Sequence, residues 1–321
     1  MKKLRVAVVG AGYLGKFHAQ KYAAMDHVDL VGIVDMDKAT ADQVAGSLHT
    51  KSHCRHQDLF GQVDAVSIAT STPAHFHVSR DFLNHGTHLL IEKPITTTMD
   101  EAKELMALSR AMGLIIQVGH IERFNPVTVA LKKITENPFL FEANRLSPFK
   151  TRGSDVSVIL DLMIHDIDIV LNLADSPVKH IHGSGACVAT DLIDIAWARI
   201  EFENGCVANL SASRIAEEAS RQMKMFQKNG YMDVDFGIRK MSVFRPPSFG
   251  SAQETEKPAN EIVFGMEKQT VSFESGDALD AELRSFVDAV SSGKPPEVTG
   301  QMGCDALDTA LKITDCIHAG R

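Results

Sequence analysis

One tight turn restricts the fold of this chain more than anything else in it. Leu4 to Val9 is a short apolar run that leads straight into Gly10-Ala11-Gly12-Tyr13-Leu14-Gly15, after which Phe17 to Met25 reads as a helix. A strand that turns at once into a helix leaves little room for side chains. Gly10 permits the turn, Gly12 lets the backbone approach a pyrophosphate, and Gly15 lets the helix pack closely on the strand. The opening N–H groups of the helix and its positive dipole end then face the phosphates, with Tyr13 and Leu14 in the same loop. A second run, Val28 to Val34, ends in Asp35, twenty residues past Gly15. A carboxylate there accepts hydrogen bonds from the adenosine ribose and repels a 2′-phosphate. Met36-Asp37 follow, with no Arg or Ser, so NAD is favoured over NADP.

The alternation continues through strand-like Ala65 to Ala69, a helix around His75 to Asn84, strand-like His88 to Ile91, a helix from Met99 to Met112, and strand-like Leu114 to Val118. This predicts a doubly wound parallel sheet with helices on both faces, and ligands at the carboxyl ends of its strands. Thr70, Ser71, Thr72 and Pro73, then Glu92, Lys93 and Pro94, then Gly119 and His120 line that edge. Residues 1–119 form the expected dinucleotide domain and 120–321 a second one, a division that suits 321 residues. From about Val178 to Val271 short strands succeed one another, and Asn204-Gly205 is a hairpin signal. Arg245 to Asn260 reads as a mobile flap, and Ala278 to Ser291 and Asp305 to His318 as closing helices.

Composition narrows the partners. Thirty-three Lys and Arg against 41 Asp and Glu give a net charge of −8, the wrong sign for a protein held by nucleic acid or an anionic membrane surface. No apolar stretch is long enough to span a bilayer, and no signal-peptide core follows Met1-Lys2-Lys3. Five scattered cysteines encode neither a disulfide framework nor a thiolate zinc site. A reducing cytoplasm is the expectation.

The glycine turn, Thr72-Pro73 with His77, Gly86-Thr87-His88 leading to Glu92-Lys93-Pro94, and Asp161-Leu162-Met163-Ile164-His165-Asp166-Ile167-Asp168 together resemble the glucose–fructose oxidoreductase and inositol dehydrogenase family. The matches follow the family's order along almost the whole chain. The resemblance implies an N-terminal Rossmann domain followed by a C-terminal α+β domain with a large, mostly antiparallel open sheet. It implies hydride transfer between a nicotinamide and a sugar or cyclitol carbon, and a homo-oligomer, dimer or tetramer, joined through that sheet. Cofactor contacts are implied at Thr70, Ser71, Thr72, Pro73, His77, Glu92 and Lys93. Met163 stands where many members carry glycine, which bears on the local backbone shape.

Oxidising a secondary alcohol requires a base for the hydroxyl proton and a cation near the oxygen. Lys93, at a strand end, can hydrogen-bond the reacting oxygen. His165 lies four residues after Asp161, one turn along a helix expected over about Asp155 to Leu173. An imidazole whose ring is held by a carboxylate suits proton transfer; a satisfied, buried pair is the other reading of the same spacing. Neither His165, Asp166 and Asp168 nor His49, His53 and His56 makes a convincing zinc set, and no metal is expected.

Gly119-His120-Ile121-Glu122-Arg123-Phe124-Asn125-Pro126 resembles the nucleotide-sugar branch of the family, in which UDP-N-acetylglucosamine is oxidised at C3. Arg123 and Asn125 are the expected polar ligands there. Asn144 to Gly153 adds Arg145, Lys150 and Arg152, with Arg214 further on, and arginine forks match phosphate oxygens. The segment reads equally well as a solvated basic loop. The leading expectation is an NAD-dependent dehydrogenase of a nucleotide sugar. A dehydrogenase of a free sugar or inositol, and a dinucleotide-binding regulator without turnover, remain beside it.

Overall fold

The apolar run before the glycine turn is β1 (Leu4–Val9), buried from Val6 onward, and the chain winds back and forth across it. In the computed structural model, which describes residues 3–150, 156–247, 261–263, 265–274 and 276–320, α1 (Tyr13–Ala23) returns to β2 (Val28–Val34). It continues with α2 (Lys38–Ser47), β3 (Lys51–His53), β4 (Ala65–Ile68), α3 (Thr72–Asn84), β5 (His88–Glu92), α4 (Met99–Met112) and β6 (Ile116–Gly119). The six strands lie in the order β3-β2-β1-β4-β5-β6, all parallel. The order reverses between β1 and β4, the position at which doubly wound sheets bind ligands. A capping box opens α4, where Thr98 and Glu101 exchange bonds, and Gly113 in the left-handed region closes it.

The chain divides into two units, but not at a single point. The first holds Met1–Ile121 and also Asp277–Asp308; the second holds Glu122–Gly276 and Thr309–Arg321. The sequence expectation has one boundary at residue 120; the compact units divide close to it, at Ile121, and Asp277–Asp308 groups with the first unit. Helix α7, which follows the last sheet strand, is the reason. It spans Ala278–Ser292 and carries Leu283, Phe286 and Val287 on one face, and this stripe packs into the core formed by Val6, Val8, Ala19 and Tyr22. An ion pair from Lys21 on α1 to Asp277, the N-cap of α7, closes the contact at its edge. Val118 N–H bonds the Val298 carbonyl at 3.2 Å, extending the edge of the parallel sheet.

In the second unit α5 (Pro126–Ile134) precedes β7 (Pro138–Leu146), and a π-turn over Ile159–Met163 opens α6 (Ile164–Ala174). Then come β8 (Val178–Ala186), β9 (Ile195–Phe202), β10 (Val207–Ser213), β11 (Ser220–Gln227), β12 (Gly230–Asp235), β13 (Lys240–Arg245), β14 (Glu261–Val263) and β15 (Met266–Ser272). Among the described residues they form one nine-stranded sheet in the order β14-β15-β13-β12-β11-β7-β10-β9-β8. Every neighbouring pair is antiparallel except β7 with β10, so the expected sheet is found. One interior strand, β7, between β11 and β10, is one that the sequence hid. Phe141, Ala143 and Arg145 alternate inward on β7, and a charged residue at the third position breaks the apolar pattern. The expected flap over 245–260 lies for the most part outside the described residues. The last helix, α8, spans Gly300–Ala319.

If α7 is a core element of the first unit, Phe286→Ala should destabilise the protein by about 3–5 kcal/mol, the usual cost of emptying a buried phenylalanine site. Urea unfolding of the two proteins measures the difference, and a change below about 1 kcal/mol would contradict the placement.

Candidate active site

The first unit gathers the dinucleotide loop. Gly10 has φ +95, its N–H bonds the Val34 carbonyl at 2.8 Å, and an added Cβ would lie 2.5 Å from the Ala69 carbonyl oxygen. At Gly15 a Cβ would stand 1.8 Å from the Gly10 carbonyl oxygen. At Gly12 it would meet nothing within 4 Å, so this side of the loop is open to a pyrophosphate. Gly12 is also the N-cap of α1 and offers no side chain to cap it. The helix end is therefore capped by no protein side chain and suits an outside anion. Asp35 accepts from the Ala11 N–H at 2.8 Å with one oxygen and from Asp37 N–H at 2.9 Å with the other. A carboxylate has about four acceptor positions, so the tie to the loop orients Asp35 and leaves it capacity for ribose hydroxyls. Beside the loop lies an open cavity of about 320 Å³, lined by Gly12, Tyr13, Lys16, Gln20, Thr40 and Gln43 among others. Lys16 was no part of the sequence expectation. Tyr13 is 65% exposed and meets Phe17 edge-on at 5.1 Å.

The loops after β4 and β5 are joined by a residue that the sequence reading passed over. His75 on α3 is buried, with Nδ1 2.8 Å from the Pro94 carbonyl and Nε2 3.1 Å from that of Thr70. A neutral ring donates to one of them at a time, and burial pulls its pKa down against the effect of the two carbonyls. His77, the expected contact, is exposed on the same helix and packs edge-on against Phe76 at 5.2 Å. Two residues along an α-helix are about 200° apart, so only one of the pair can face the loops. Thr70 is half-buried, Ser71 and Pro73 are exposed, Thr72 is buried, and Lys93 is half-buried at the end of β5. Glu92 departs from expectation. Its carboxylate turns inward, 3.1 Å from Nε2 of His18, because residues alternate faces along a strand.

The second unit holds the other expected residues, most of them tied up in pairs. Arg145 binds both oxygens of Asp166, at 2.8 and 3.0 Å, and Glu122 at 3.0 Å. Arg123 binds Asp168 at 2.8 Å. Asn125 caps α5 through Val127 N–H and donates to Glu122 and to the Phe236 carbonyl. All of these side chains are buried. Burial pushes the Glu122 carboxyl up, but the Arg145 charge and its bonds outweigh that and hold it below the usual range. Asp166, more deeply enclosed, is raised by burial despite Arg145.

Arg123, Asn125 and Arg145, expected at the substrate, are each buried and bound to a protein partner here. Arg214, expected there too, is likewise paired. It lies buried 3.1 Å from Asp194 and donates to the Ile193 carbonyl. Asp166 and Asp168, once weighed as metal ligands, are held by arginines. Lys150 is exposed, and Arg152 lies outside the described residues.

Asp161 sits within the π-turn and His165 in the first turn of α6, both half-buried. The helix expected from Asp155 is regular only from Ile164, and π-turns inside helices frequently mark functional sites. On α6 only His165, Leu171 and Asn172 escape full burial, since Asp166 and Asp168 are drawn to their arginines. Met163, at φ −62 and ψ −29, is ordinary right-handed backbone and fully buried, so no glycine is required there.

The model of an oxidoreductase family with an NAD-binding Rossmann fold matches residues 4–120, and the GFO/IDH/MocA C-terminal domain matches residues 136–232. The chain belongs to the GFO/IDH/MocA family. It is 36% identical over 320 residues to UDP-N-acetylglucosamine 3-dehydrogenase of Acidithiobacillus ferrooxidans, covering 99% of each chain. A solved structure of that enzyme superposes with a TM-score of 0.90, at 35% identity and 99% coverage of both chains. Myo-inositol 2-dehydrogenase of Thermotoga maritima is 23% identical, over 95% of this chain and 93% of its own. Like its family, the chain is an NAD-dependent oxidoreductase. The fit to NAD rests on the open face at Gly12, the α1 N-terminus and the tethered Asp35.

Two substitutions test the buried pairs. Arg145→Leu leaves Glu122 and Asp166 without their shared cation and should destabilise the protein by about 3–5 kcal/mol in urea unfolding. Burial pushes the Asp194 carboxyl up, but backbone N–H bonds from Val188, Ala189 and Thr190 and the Thr190 hydroxyl bring it down to about 2, from an ordinary 3.8. Its contribution to stability is thus present above 3.8 and lost as pH falls towards 2. Asp194→Asn should flatten that acid loss in melting temperatures taken against pH, and an unchanged acid slope would contradict it.

Proposed function

We propose that the chain oxidises a ring hydroxyl of a nucleotide sugar, with UDP-N-acetylglucosamine and its C3 as the best-supported case, and passes the hydride to NAD. The observation that carries this reading is the 36% identity to UDP-N-acetylglucosamine 3-dehydrogenase over 99% of both chains. Retention of Lys93, Asp161 and His165 supports it, and argues against a regulator without turnover.

Bound NAD supplies the hydride acceptor. His165 takes the hydroxyl proton as the C–H hydride leaves the same carbon, and a ketone results. Asp161 holds the ring and tautomer of His165. Lys93 donates a hydrogen bond to the oxygen as negative charge builds on it. Gly10, Gly12, Tyr13, Leu14 and Gly15 with the α1 N-terminus take the pyrophosphate, Asp35 the ribose, and Thr70 to Pro73 flank the cofactor. With Arg123, Arg145 and Arg214 paired to buried carboxylates, Lys150 and Arg152 are candidate cations for the substrate diphosphate. Arg221, whose side chain is 55% exposed, is a further one.

Assembly through the open sheet also belongs to this reading. The outer face of β9 presents Trp197, 50% exposed, and a dimer or tetramer would cover it. The cysteines are all free thiols, which suits a cytoplasmic site. No described helix is long and apolar enough to cross a membrane.

The test is NADH formation with UDP-sugars beside free sugars and inositols, the latter because inositol dehydrogenases are also relatives. Turnover on UDP-N-acetylglucosamine is expected, and turnover on free polyols alone would overturn the nucleotide-sugar assignment. Lys93→Met and His165→Asn should each remove turnover, by about 10²–10⁴-fold for a lost proton-transfer group, with NAD affinity nearly intact. Full activity in either would dismiss that residue's role. Lys150→Ala should raise KM for the UDP-sugar, and an unchanged KM would exclude Lys150 from diphosphate binding.

A further inference from the structure

Directly behind the end of β5, the core of the first unit encloses three ionisable side chains that the hydride-transfer scheme leaves unused. Glu92 points inward from β5, His18 comes from α1 and Glu282 from α7, and their ligand-type atoms all lie within 4.8 Å of one another. His18 and Glu282 are fully buried and Glu92 is 7% exposed. Neither ring nitrogen of His18 and neither carboxyl oxygen of Glu282 makes a well-formed hydrogen bond, although His18 Nε2 stands 3.1 Å from Glu92 Oε1. The backbone around the cluster is fixed. Gln117 donates to the Glu282 carbonyl at 3.0 Å, and a Cβ at Gly119 would lie 2.8 Å from Glu92 Oε1.

We propose that His18 and Glu282 are positioning residues for the reaction: by sharing protons with the Glu92 carboxylate they hold it inward, and so fix the direction in which the next residue, Lys93, leaves the sheet. Successive residues of a strand point to opposite faces, so pinning Glu92 in the core turns Lys93 out of it. The inference rests on the reading of Lys93 as a catalytic residue.

Two buried carboxyl groups at this range cannot both carry charge at acceptable cost. Burial, and then the charge of Glu92, push the Glu282 carboxyl well above the usual carboxylate range. The titratable groups facing it are His18 and Tyr22 on α1 and Glu92 on β5; the Tyr22 hydroxyl is bonded to Ser67 at 2.7 Å. Neutral Glu282 is compatible with Glu92 beside it. As pH rises through the raised value, Glu282 ionises and the two carboxylates repel. A divalent cation is the competing way to neutralise the cluster, but structural zinc sites close with four ligands and three are gathered here.

The experiment measures kcat, KM and NAD affinity against pH for the wild type, Glu282→Ala, Glu282→Gln and Lys93→Met, with metal analysis of the purified wild type. Glu282→Ala should lower kcat by about 10²-fold, the cost of misplacing a reacting group by about 1 Å, while KM and NAD affinity hold. Glu282→Gln, neutral at every pH, should restore kcat and carry it to higher pH than the wild type. Undiminished kcat in Glu282→Ala, a Glu282→Gln profile that superimposes on the wild type, or stoichiometric bound metal would each overturn the proposal. If Glu282→Ala does not fold, the Glu282→Gln profile decides alone. Full activity in Lys93→Met would instead remove the role of Lys93 itself, a failure visible in that variant only.

Discussion

The close approach of Gly15 to the Gly10 carbonyl oxygen is the contact on which the first unit is built. Any Cβ at Gly15 would stand 1.8 Å from that oxygen, well inside van der Waals contact. With glycine there, α1 lies directly on the end of β1, and its N-terminus is left uncapped and pointing out of the sheet. The tie from Ala11 N–H to Asp35 then locks the loop to the end of β2. The open α1 N-terminus and the Asp35 carboxylate are thus parts of one turn, and preorganised polar groups of this kind bind without first having to be ordered.

In the second unit a buried ionic network does the comparable work. Arg145 on β7 holds Glu122 and Asp166, and Arg123 holds Asp168. Such networks are weak evidence for stability, because desolvation cancels most of the attraction, but removing one member strands the rest. Their effect here is geometric. With Asp166 and Asp168 drawn to arginines, the rotation of α6 is fixed, and His165 is left as its one ionisable group that is not fully buried.

Several elements were legible without coordinates. The glycine turn, Asp35 after β2, most of the strands and helices to Val118, and the hairpin at Asn204-Gly205 rest on local rules, and the structure reproduces them; α2 and the edge strand β3 are additions, β3 because its three polar residues, Lys51–His53, look like a loop. Strand β7 was not legible, because the buried Arg145 interrupts its alternation and makes the stretch look like a basic loop. His75 was overlooked for His77, since which of two histidines on one helix faces inward depends on what the helix packs against. The membership of α7 in the first unit was also hidden. Its Leu283, Phe286 and Val287 stripe declares an amphipathic helix but does not name its partner.

The sequence by itself determined the parallel dinucleotide sheet, the cofactor loop and the residue types able to move a proton and stabilise an oxyanion. These depend on spacing along the chain, where glycine conformations and strand or helix periods act over a few residues. Only the tertiary structure decided which charged side chains are available. Arg123, Arg145 and Arg214 are spent on buried carboxylates, Glu92 is turned to His18, and Lys93 and His165 stay half-buried. A buried charge must find its counter-charge wherever the fold places one. Those partners lie 21 residues away for Arg145 and Asp166, and 45 for Arg123 and Asp168, beyond the reach of any local pattern.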